Sequence, residues 1–253
     1  MVLVYICKYA EDTTTSADEA ISSSNGTSPI IIRALIPQYA DPSNSEARGL
    51  VPHPVEIVTF SSLWLVPAYL FISGVEHMSY LVFPKTSLWY LERNQNPFRW
   101  TEYTFSAPFM KVVVAQQVGV TDVHLLVIIF VLMAVSIQCA ATHEAVNAKA
   151  RSENRPQNWR PFFVGWLGHL TGWSFIFSYL FTLTSRGGAS AALWIIVVMQ
   201  LILDSGFPVL FTMQWLKIGP FEDYVEGEKA FIVLSFVNKT LLAWLSLINA
   251  GVN

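Results

Sequence analysis

Six stretches of apolar residues, each long enough to cross a lipid bilayer as a helix, dominate this chain. They lie at about 58–83, 96–118, 122–143, 161–184, 189–216 and 229–251, with short polar links between them. A helix needs about 20 predominantly apolar residues to cross the hydrocarbon layer. Prolines inside some stretches are compatible with this, because neighbouring membrane helices satisfy the carbonyls that a proline leaves free. The pattern predicts an all-α, multi-pass membrane protein whose first partner is the lipid bilayer.

Composition supports this class and argues against others. Of 253 residues, 53% are hydrophobic and only 13% are charged, which is too little charge to cover a water-soluble globule of this size. The net charge of −3 is small and spread along the chain, so no nucleic-acid partner is indicated. Cys7 and Cys139 both lie in apolar surroundings and form neither a disulfide framework nor a metal-binding pattern.

The region before the first long apolar stretch differs in character. Residues 9–54 are polar, apart from Ile30–Ile36, whose β-branched side chains predict a strand. Val55–Phe60 is a second candidate strand, unless it already begins the next helix. Together the two segments predict a β-hairpin that lies on the membrane surface.

Basic residues predict the orientation in the membrane. The links after the first, third and fifth stretches carry Lys85, Arg93, Arg99, Lys149, Arg151, Arg155, Arg160, Lys217 and Lys229. The opposite side carries only Lys8, Arg33, Arg48 and Arg186, although it includes the long first loop. Because cytoplasmic loops are enriched in Lys and Arg, the long loop and the C-terminus are predicted to be extracellular and the basic links cytoplasmic.

Lys239 lies close to the midpoint of the last apolar stretch. An ammonium there is about 15 Å from either helix end. It costs about 2.5–3.5 kcal/mol or more unless it is paired or neutralised. Glu102 is a candidate partner, and Ser106 follows it by four residues on the same helical face. Ionisable groups at membrane depth indicate either a functional site or pairs that satisfy each other inside the bundle.

A buried lysine with a carboxylate partner is what a Schiff-base pigment requires. The desolvated amine condenses with an aldehyde, and an opposite charge nearby keeps the resulting imine protonated. Ser235 precedes Lys239 by one helical turn and either hydrogen-bonds near the nitrogen or bonds the carbonyl of its own preceding turn.

Two motifs together resemble the heliorhodopsins, microbial retinal proteins with an inverted membrane topology. The first is Asn94-Gln-Asn-Pro-Phe-Arg-Trp-Thr-Glu-Tyr103, and the second is Tyr224-Val-Glu-Gly-Glu-Lys-Ala-Phe-Ile-Val-Leu-Ser-Phe-Val-Asn-Lys-Thr-Leu-Leu-Ala-Trp244. The resemblance runs from about residue 55 to the C-terminus. It implies a rhodopsin-like bundle of seven helices, six of them complete spans in this chain.

The resemblance also implies a chromophore and its contacts. All-trans retinal is expected on Lys239, with Glu102 as counterion and Ser235 as a neighbour of the Schiff base. Tyr103 and Ser106 are expected along the chromophore, and His77 in a polar cavity on the cytoplasmic side. A homodimer is expected, with strands of the first outer loop in its interface.

Bulky side chains suggest further walls of the retinal pocket, although each is individually more typical of ordinary helix packing in a chain this rich in aromatic residues. The predicted walls are Phe109, Met110, Ile137, Trp173 and Phe207.

The chain departs from the family pattern at its start. Heliorhodopsins have a full span before the outer loop, whereas only Met1–Cys7 corresponds to its outer end here. We expect a truncated gene or a misplaced start codon; the alternative is a bundle with a gap in place of this helix. The predicted organisation is residues 1–8 as a remnant of the first transmembrane helix, 9–56 as the extracellular loop, and 57–253 as a six-helix retinal-binding bundle.

Additional charged residues form the second departure. Lys111 lies nine residues after Glu102, on the opposite side of that helix, and is expected either to snorkel outward or to pair with another helix. Asp204 is expected either to be protonated and hydrogen-bonded, or to join Glu76, His77 and Glu102 in a proton path. His143-Glu144 near a helix end predicts a solvated face.

The favoured function is a light-sensing photoreceptor that signals without net ion pumping. One alternative is a light-activated proton channel or transporter that uses the extra membrane acids, and a second is a membrane scaffold that does not respond to light. No arrangement of nucleophile and base appears, so an enzyme is not predicted. The downstream protein partner is left open.

Overall fold

The computed structural model describes residues 30–39, 50–60 and 62–252. The predicted remnant at 1–8 and the loop residues 9–29 and 40–49 lie outside the described residues.

The described chain is mostly helical, with two strands at its start. The strands are β1 (Ile30–Tyr39) and β2 (Leu50–Phe60), and the helices are α1 (Leu65–Val82), α2 (Pro84–Leu91), α3 (Pro97–Gln117), α4 (Val123–Ser152), α5 (Arg160–Ser185), α6 (Ala191–Trp215) and α7 (Tyr224–Val252). Single turns of 3-10 helix at Ser62–Trp64 and Gly219–Glu222 precede α1 and α7. Apart from the short α2, each helix lies on one of the six predicted apolar stretches. Two bounds differ most: residues 58–60 of the first stretch belong to β2, and α4 continues beyond residue 143 to Ser152.

Short polar side chains define where several helices begin. Asn96 caps α3 by accepting a hydrogen bond from the Arg99 N–H at 3.2 Å, and Pro97 occupies the first helical position. Asp122 caps α4 and Ser190 caps α6 in the same way, through the N–H groups of Leu125 and Leu193. The short links therefore carry their own stop and start signals.

Four of the described helices are long and apolar enough to cross a membrane by length and composition. They are α1, α4, α6 and α7, each over all or most of its length. Helices α3 and α5 are 21 and 26 residues long but do not meet the same hydropathy threshold. By length and composition, four of the six predicted spans are therefore candidates for crossing the membrane, and the crossing of α3 and α5 stays a prediction.

Helix α4 packs against both α3 and α5, while α1 packs on α3 and α6 on α7. Two glycines let α5 approach α4 closely: a methyl group at Gly165 would lie 3.0 Å from the Ser136 carbonyl oxygen, and one at Gly168 would lie 2.9 Å from the Leu132 carbonyl oxygen. Small residues at such crossings allow helix backbones to approach, which is typical of membrane bundles.

The two strands pair antiparallel, with Ile31 opposite Thr59 and Ile36 opposite His53. Both predicted strands are therefore present, and β2 extends upstream to Leu50. The sheet is tied to the start of α4 by the Arg33 N–H, which donates to the Thr121 carbonyl at 3.1 Å.

Two arginines that were counted as basic link residues are buried. Arg99 and Arg151 are 3% and 2% exposed. Arg151 donates to the backbone carbonyls of Gln214, Phe221 and Glu222 and so joins the end of α4 to the link between α6 and α7. Both side chains therefore make contacts between helices inside the bundle, whereas the sequence pattern had placed them among the cytoplasmic links.

We expect Gly168→Ala to destabilise the protein by about 1–3 kcal/mol, because the added methyl group overpacks a backbone contact between α4 and α5. The new atom would also lie 2.5 Å from the Ser136 hydroxyl oxygen. Thermal unfolding of the purified protein in lipid measures the effect.

Gly172→Ala is the matched control, since a methyl group there meets nothing within 4 Å. It lies one turn further along α5 and is expected to be neutral or to stabilise by up to about 1 kcal/mol through helix propensity. Equal losses in the two variants would contradict the close-packing explanation.

Candidate functional site

Lys239 of α7 and Glu102 of α3 are in direct contact inside the bundle. The Lys239 Nζ lies 2.6 Å from Glu102 Oε1, and the two residues are 6% and 4% exposed. The predicted partner of the buried lysine is thus the residue that it contacts. Because a buried charge is costly unless it is paired, this contact accounts for the position of both groups.

Helix α1 supports the pair from a third side. Ser73 donates a hydrogen bond to the same Glu102 Oε1 at 2.7 Å, and the Tyr69 hydroxyl donates to the Lys239 carbonyl at 3.3 Å. Sequence reasoning missed both residues. A signal was available, since they precede the membrane acid Glu76 by three and seven residues and therefore share its helical face.

Ser235 and Tyr103 lie beside the lysine. Ser235 is 4% exposed and interacts with the Tyr103 side chain. The Tyr103 hydroxyl donates to the Phe231 carbonyl at 3.3 Å, and the Lys239 Nζ lies 5.2 Å from the centroid of the Tyr103 ring. These contacts connect α3 and α7 over the two helical turns that precede the lysine.

A cavity between α3, α4, α5, α6 and α7 opens next to the pair. Its lining includes Lys239 and Ser235 together with predicted wall residues, namely Tyr103, Ser106, Met110, Ile137 and Phe207. Five aromatic side chains that sequence reasoning did not select also line it: Trp100, Phe162, Trp166, Phe211 and Phe231.

Two predicted wall residues lie outside this lining. Phe109 packs against Phe130 with ring centroids 5.3 Å apart. Trp173 lies beneath the Lys111 ammonium, which is 3.6 Å from the centroid of its ring.

The lining suits an apolar aldehyde such as retinal. Aromatic and aliphatic side chains form most of the wall, which shelters a polyene from water. Lys239 supplies the amine that an aldehyde requires. The Ser106 hydroxyl is fully buried and has no hydrogen-bond partner among the described residues, so a polar atom of the wall remains available to a ligand.

The acids predicted for a proton path fall into two separate groups. Glu76 is 9% exposed and contacts His77, whose Nδ1 lies 2.8 Å from Glu76 Oε2 and whose side chain is 51% exposed. Glu76 also interacts electrostatically with Glu102 and Lys239. Asp204 belongs instead to the group around Lys111.

Lys111 is 2% exposed and pairs with Asp204, with Nζ 2.5 Å from Oδ2. The structure shows that Lys111 pairs with another helix and does not snorkel outward. Gln200 and Asn238 donate to the other oxygen of Asp204 at 3.0 and 3.2 Å.

A third buried charged group surrounds Arg99. Its guanidinium contacts Glu228 at 2.5 Å and Glu144 at 2.7 Å. Glu144 is 2% exposed and His143 is fully buried, so the predicted solvated face at His143-Glu144 is wrong. The error arises because a charged residue near a helix end is solvated only when no partner from another helix covers it.

Polar groups at the start of α3 and α7 complete this group. Asn96 donates through its backbone N–H to Glu144 and through its side chain to Glu228, both at 2.6 Å. The Tyr224 hydroxyl donates to Glu144 at 2.9 Å. The described residues hold no group of three or more His, Cys, Asp or Glu side chains that suits a metal ion.

Comparison with solved structures gives the fold. The chain is similar to the crystal structure of Exiguobacterium sibiricum rhodopsin, with a TM-score of 0.53 and 13% sequence identity, over 76% of this chain and 82% of that chain. At this identity the likeness shows a microbial rhodopsin fold.

Comparison with curated protein sequences finds no match. A family model described as Heliorhodopsin matches residues 28–250, which extends the resemblance upstream to include both strands. The match covers most of the chain and the lysine–glutamate pair lies within it. This chain therefore belongs to the heliorhodopsin family.

Proposed function

We propose that the protein is a light-sensing retinal protein in which Lys239 carries all-trans retinal as a protonated Schiff base and Glu102 is the counterion. The single observation that carries this proposal is the contact between Lys239 Nζ and Glu102 Oε1 at 2.6 Å, beside a cavity lined largely by aromatic residues. Retinal, when bound, supplies a conjugated chain that absorbs visible light and isomerises.

Electrostatics gives Glu102 its role. Two unit charges 4 Å apart interact by about 4 kcal/mol at an effective dielectric constant of 20. A carboxylate in direct contact with the Lys239 nitrogen therefore favours the protonated state of that nitrogen. Ser73 donates to the contacting oxygen of Glu102, which holds the carboxylate in place and also gives it a partner when the nitrogen moves away.

Sensing without net transport is supported by how the other acids are engaged. Asp204 is bound by Lys111, Gln200 and Asn238, so its carboxylate is already satisfied. Among the described residues, Glu102 is the acid in contact with the lysine nitrogen. A light-induced change at this nitrogen therefore changes the hydrogen bonds of α1, α3 and α7, and we propose that this rearrangement is the signal.

We further propose that all six long helices cross the bilayer. The three charged residues within the length of α3 that lower its hydropathy are ion-paired inside the bundle, so none faces lipid unpaired. The basic links support cytoplasmic placement of the ends that carry them, with the C-terminus and the long first loop outside.

Exposed apolar side chains on β2 support a homodimer. Val55, Ile57 and Val58 are 39%, 55% and 48% exposed. Apolar residues exposed on a strand outside the helical bundle are typical of a protein interface.

A light-driven proton conductor is the second candidate, because buried Glu76 lies near Glu102 and contacts the half-exposed His77. This arrangement offers a route from the site towards the surface. Voltage-clamp recording under illumination separates the two candidates: a sensor is expected to give no sustained current, whereas a current abolished by Glu76→Gln would establish conduction.

Purification with added retinal tests the attachment site. We expect the full chain to form a visible absorption band and Lys239→Ala to lose it, because no other amine lines the described cavity. Lys111→Met is the matched buried-lysine control and is expected to keep a band. A band that persists in Lys239→Ala, or the absence of any band in the unmodified protein, would support a scaffold that does not respond to light.

Glu102→Gln tests the counterion. The amide keeps the shape of the side chain but removes its charge. The protonated form of the nitrogen therefore loses about 4 kcal/mol of favourable electrostatic interaction. We expect the visible band to convert to a near-ultraviolet band at a lower pH than in the unmodified protein. Spectra recorded across a pH series measure this.

Glu76→Gln removes a buried acid that lies near the pair but makes no hydrogen bond to Lys239 in the described structure, and it is expected to shift the conversion much less. If Glu76→Gln had the larger effect, Glu76 rather than Glu102 would be the counterion.

A further inference from the structure

The pair formed by Lys111 and Asp204 is a second buried charge centre that the proposed attachment chemistry does not use. Lys111 Nζ donates to Asp204 Oδ2 at 2.5 Å, and the two residues are 2% and 8% exposed. Among the described residues, the donors to both oxygens of Asp204 are N–H groups: the ammonium on Oδ2, and the side-chain amides of Gln200 and Asn238 on Oδ1. An ionised carboxylate is an acceptor without a donor, so this pattern fits the anion.

The two members of the pair face different surroundings. Asp204 lines the cavity together with Lys239, whereas Lys111 is not part of the lining. The Lys111 ammonium lies over the face of Trp173, 3.6 Å from the ring centroid. The cavity therefore faces the negative member of the pair, and the positive member is held behind it by a cation–π contact.

The pair is also connected to the attachment residue. Asn238 precedes Lys239 in α7 and lines the same cavity. Its side chain donates to Asp204 at 3.2 Å and accepts from Gln200 at 2.8 Å. Asp204 thus has a fixed position relative to Lys239, although its carboxylate makes no contact with the lysine nitrogen.

We propose that Asp204 is a specificity-determining residue of the retinal pocket, whose carboxylate, held in place by Lys111, sets the wavelength of light that the protein absorbs. This inference rests on the proposed retinal function. Glu102 contacts the Lys239 nitrogen and is not part of the cavity lining, whereas Asp204 lines the cavity. The two carboxylates then have opposite effects on colour.

The physical reason is where each negative charge lies relative to the nitrogen on Lys239. Excitation of a conjugated cation moves positive charge away from its nitrogen. A carboxylate in contact with the nitrogen, such as Glu102, stabilises the ground state more and raises the excitation energy. A carboxylate that lies farther from the nitrogen, along the cavity wall, stabilises the displaced charge more and lowers the excitation energy. We assign Asp204 to this second case because its oxygens contact Lys111, Gln200 and Asn238 and not the Lys239 nitrogen.

Three changes test this in the full chain: Asp204→Asn, Asp204→Glu, and the double change Lys111→Met with Asp204→Leu. Each protein is purified with retinal for its absorption maximum and without retinal for thermal unfolding monitored by circular dichroism. Asp204→Asn is expected to shift the maximum to shorter wavelength, because it leaves the positive charge of Lys111 without its partner. Asp204→Glu keeps the negative charge and is expected to have a maximum close to that of the unmodified protein.

The double change separates colour from structure. It removes both charges and leaves no unpaired one, so the protein without retinal is expected to unfold close to the temperature of the unmodified protein. Its absorption maximum is still expected at shorter wavelength, by less than in Asp204→Asn. The control is Glu226→Gln with Lys229→Met, which removes an exposed ion pair of α7 with a separation of 2.6 Å and is expected to leave the maximum unchanged.

Other results overturn the proposal. If the double variant folds and absorbs at the wavelength of the unmodified protein, the pair is structural alone. If Asp204 variants fold without retinal but form no band with it, Asp204 serves binding rather than colour. If the unmodified protein forms no band, or Lys239→Ala keeps one, the proposed function fails first and the inference falls with it.

Discussion

The contact between the Lys239 ammonium and the Glu102 carboxylate is the interaction on which the rest of the site depends. A lysine near the middle of an apolar helix is tolerated only when its charge is compensated. The compensation here comes from α3, while α1 adds a hydrogen bond to each residue through Ser73 and Tyr69. Three helices therefore meet at one buried ion pair.

The same principle recurs along α3, which carries three charged side chains into the bundle. Arg99 pairs with α4 and α7, Glu102 with α7, and Lys111 with α6. The three charges therefore define three levels along α3. At 1.5 Å per residue, the Arg99 level lies about 4.5 Å from the Glu102 level, and the Glu102 level about 13.5 Å from the Lys111 level, along the helix axis. These charges lower the mean hydropathy of α3 although the helix lies inside the bundle. Each of them is compensated by an opposite charge on another helix rather than by water.

The three charged residues of α3 make different contacts. The Arg99 level fastens the helix ends where Asn96 and Tyr224 supply further donors. At Glu102 lies the lysine to which we propose that retinal is attached, and at Lys111 the paired Asp204 faces the cavity. A carboxylate held by several donors is a poor acceptor for a travelling proton, which agrees with the proposed sensing without net transport.

The sequence by itself determined the long helices and the strands, because hydrophobic length and residue type are properties of individual segments. It also identified Lys239 as a buried charge that needs a partner, and the resemblance to a known family supplied Glu102 as that partner. It also restricted Lys111 to two alternatives. Only the tertiary structure decided that Lys111 meets Asp204, that Glu144 is buried against Arg99, and that Ser73 reaches Glu102. These contacts join residues 93, 45 and 29 positions apart, and the rotation of each helix about its own axis decides which side chains meet. Packing of whole helix faces sets that rotation, and no single segment encodes it.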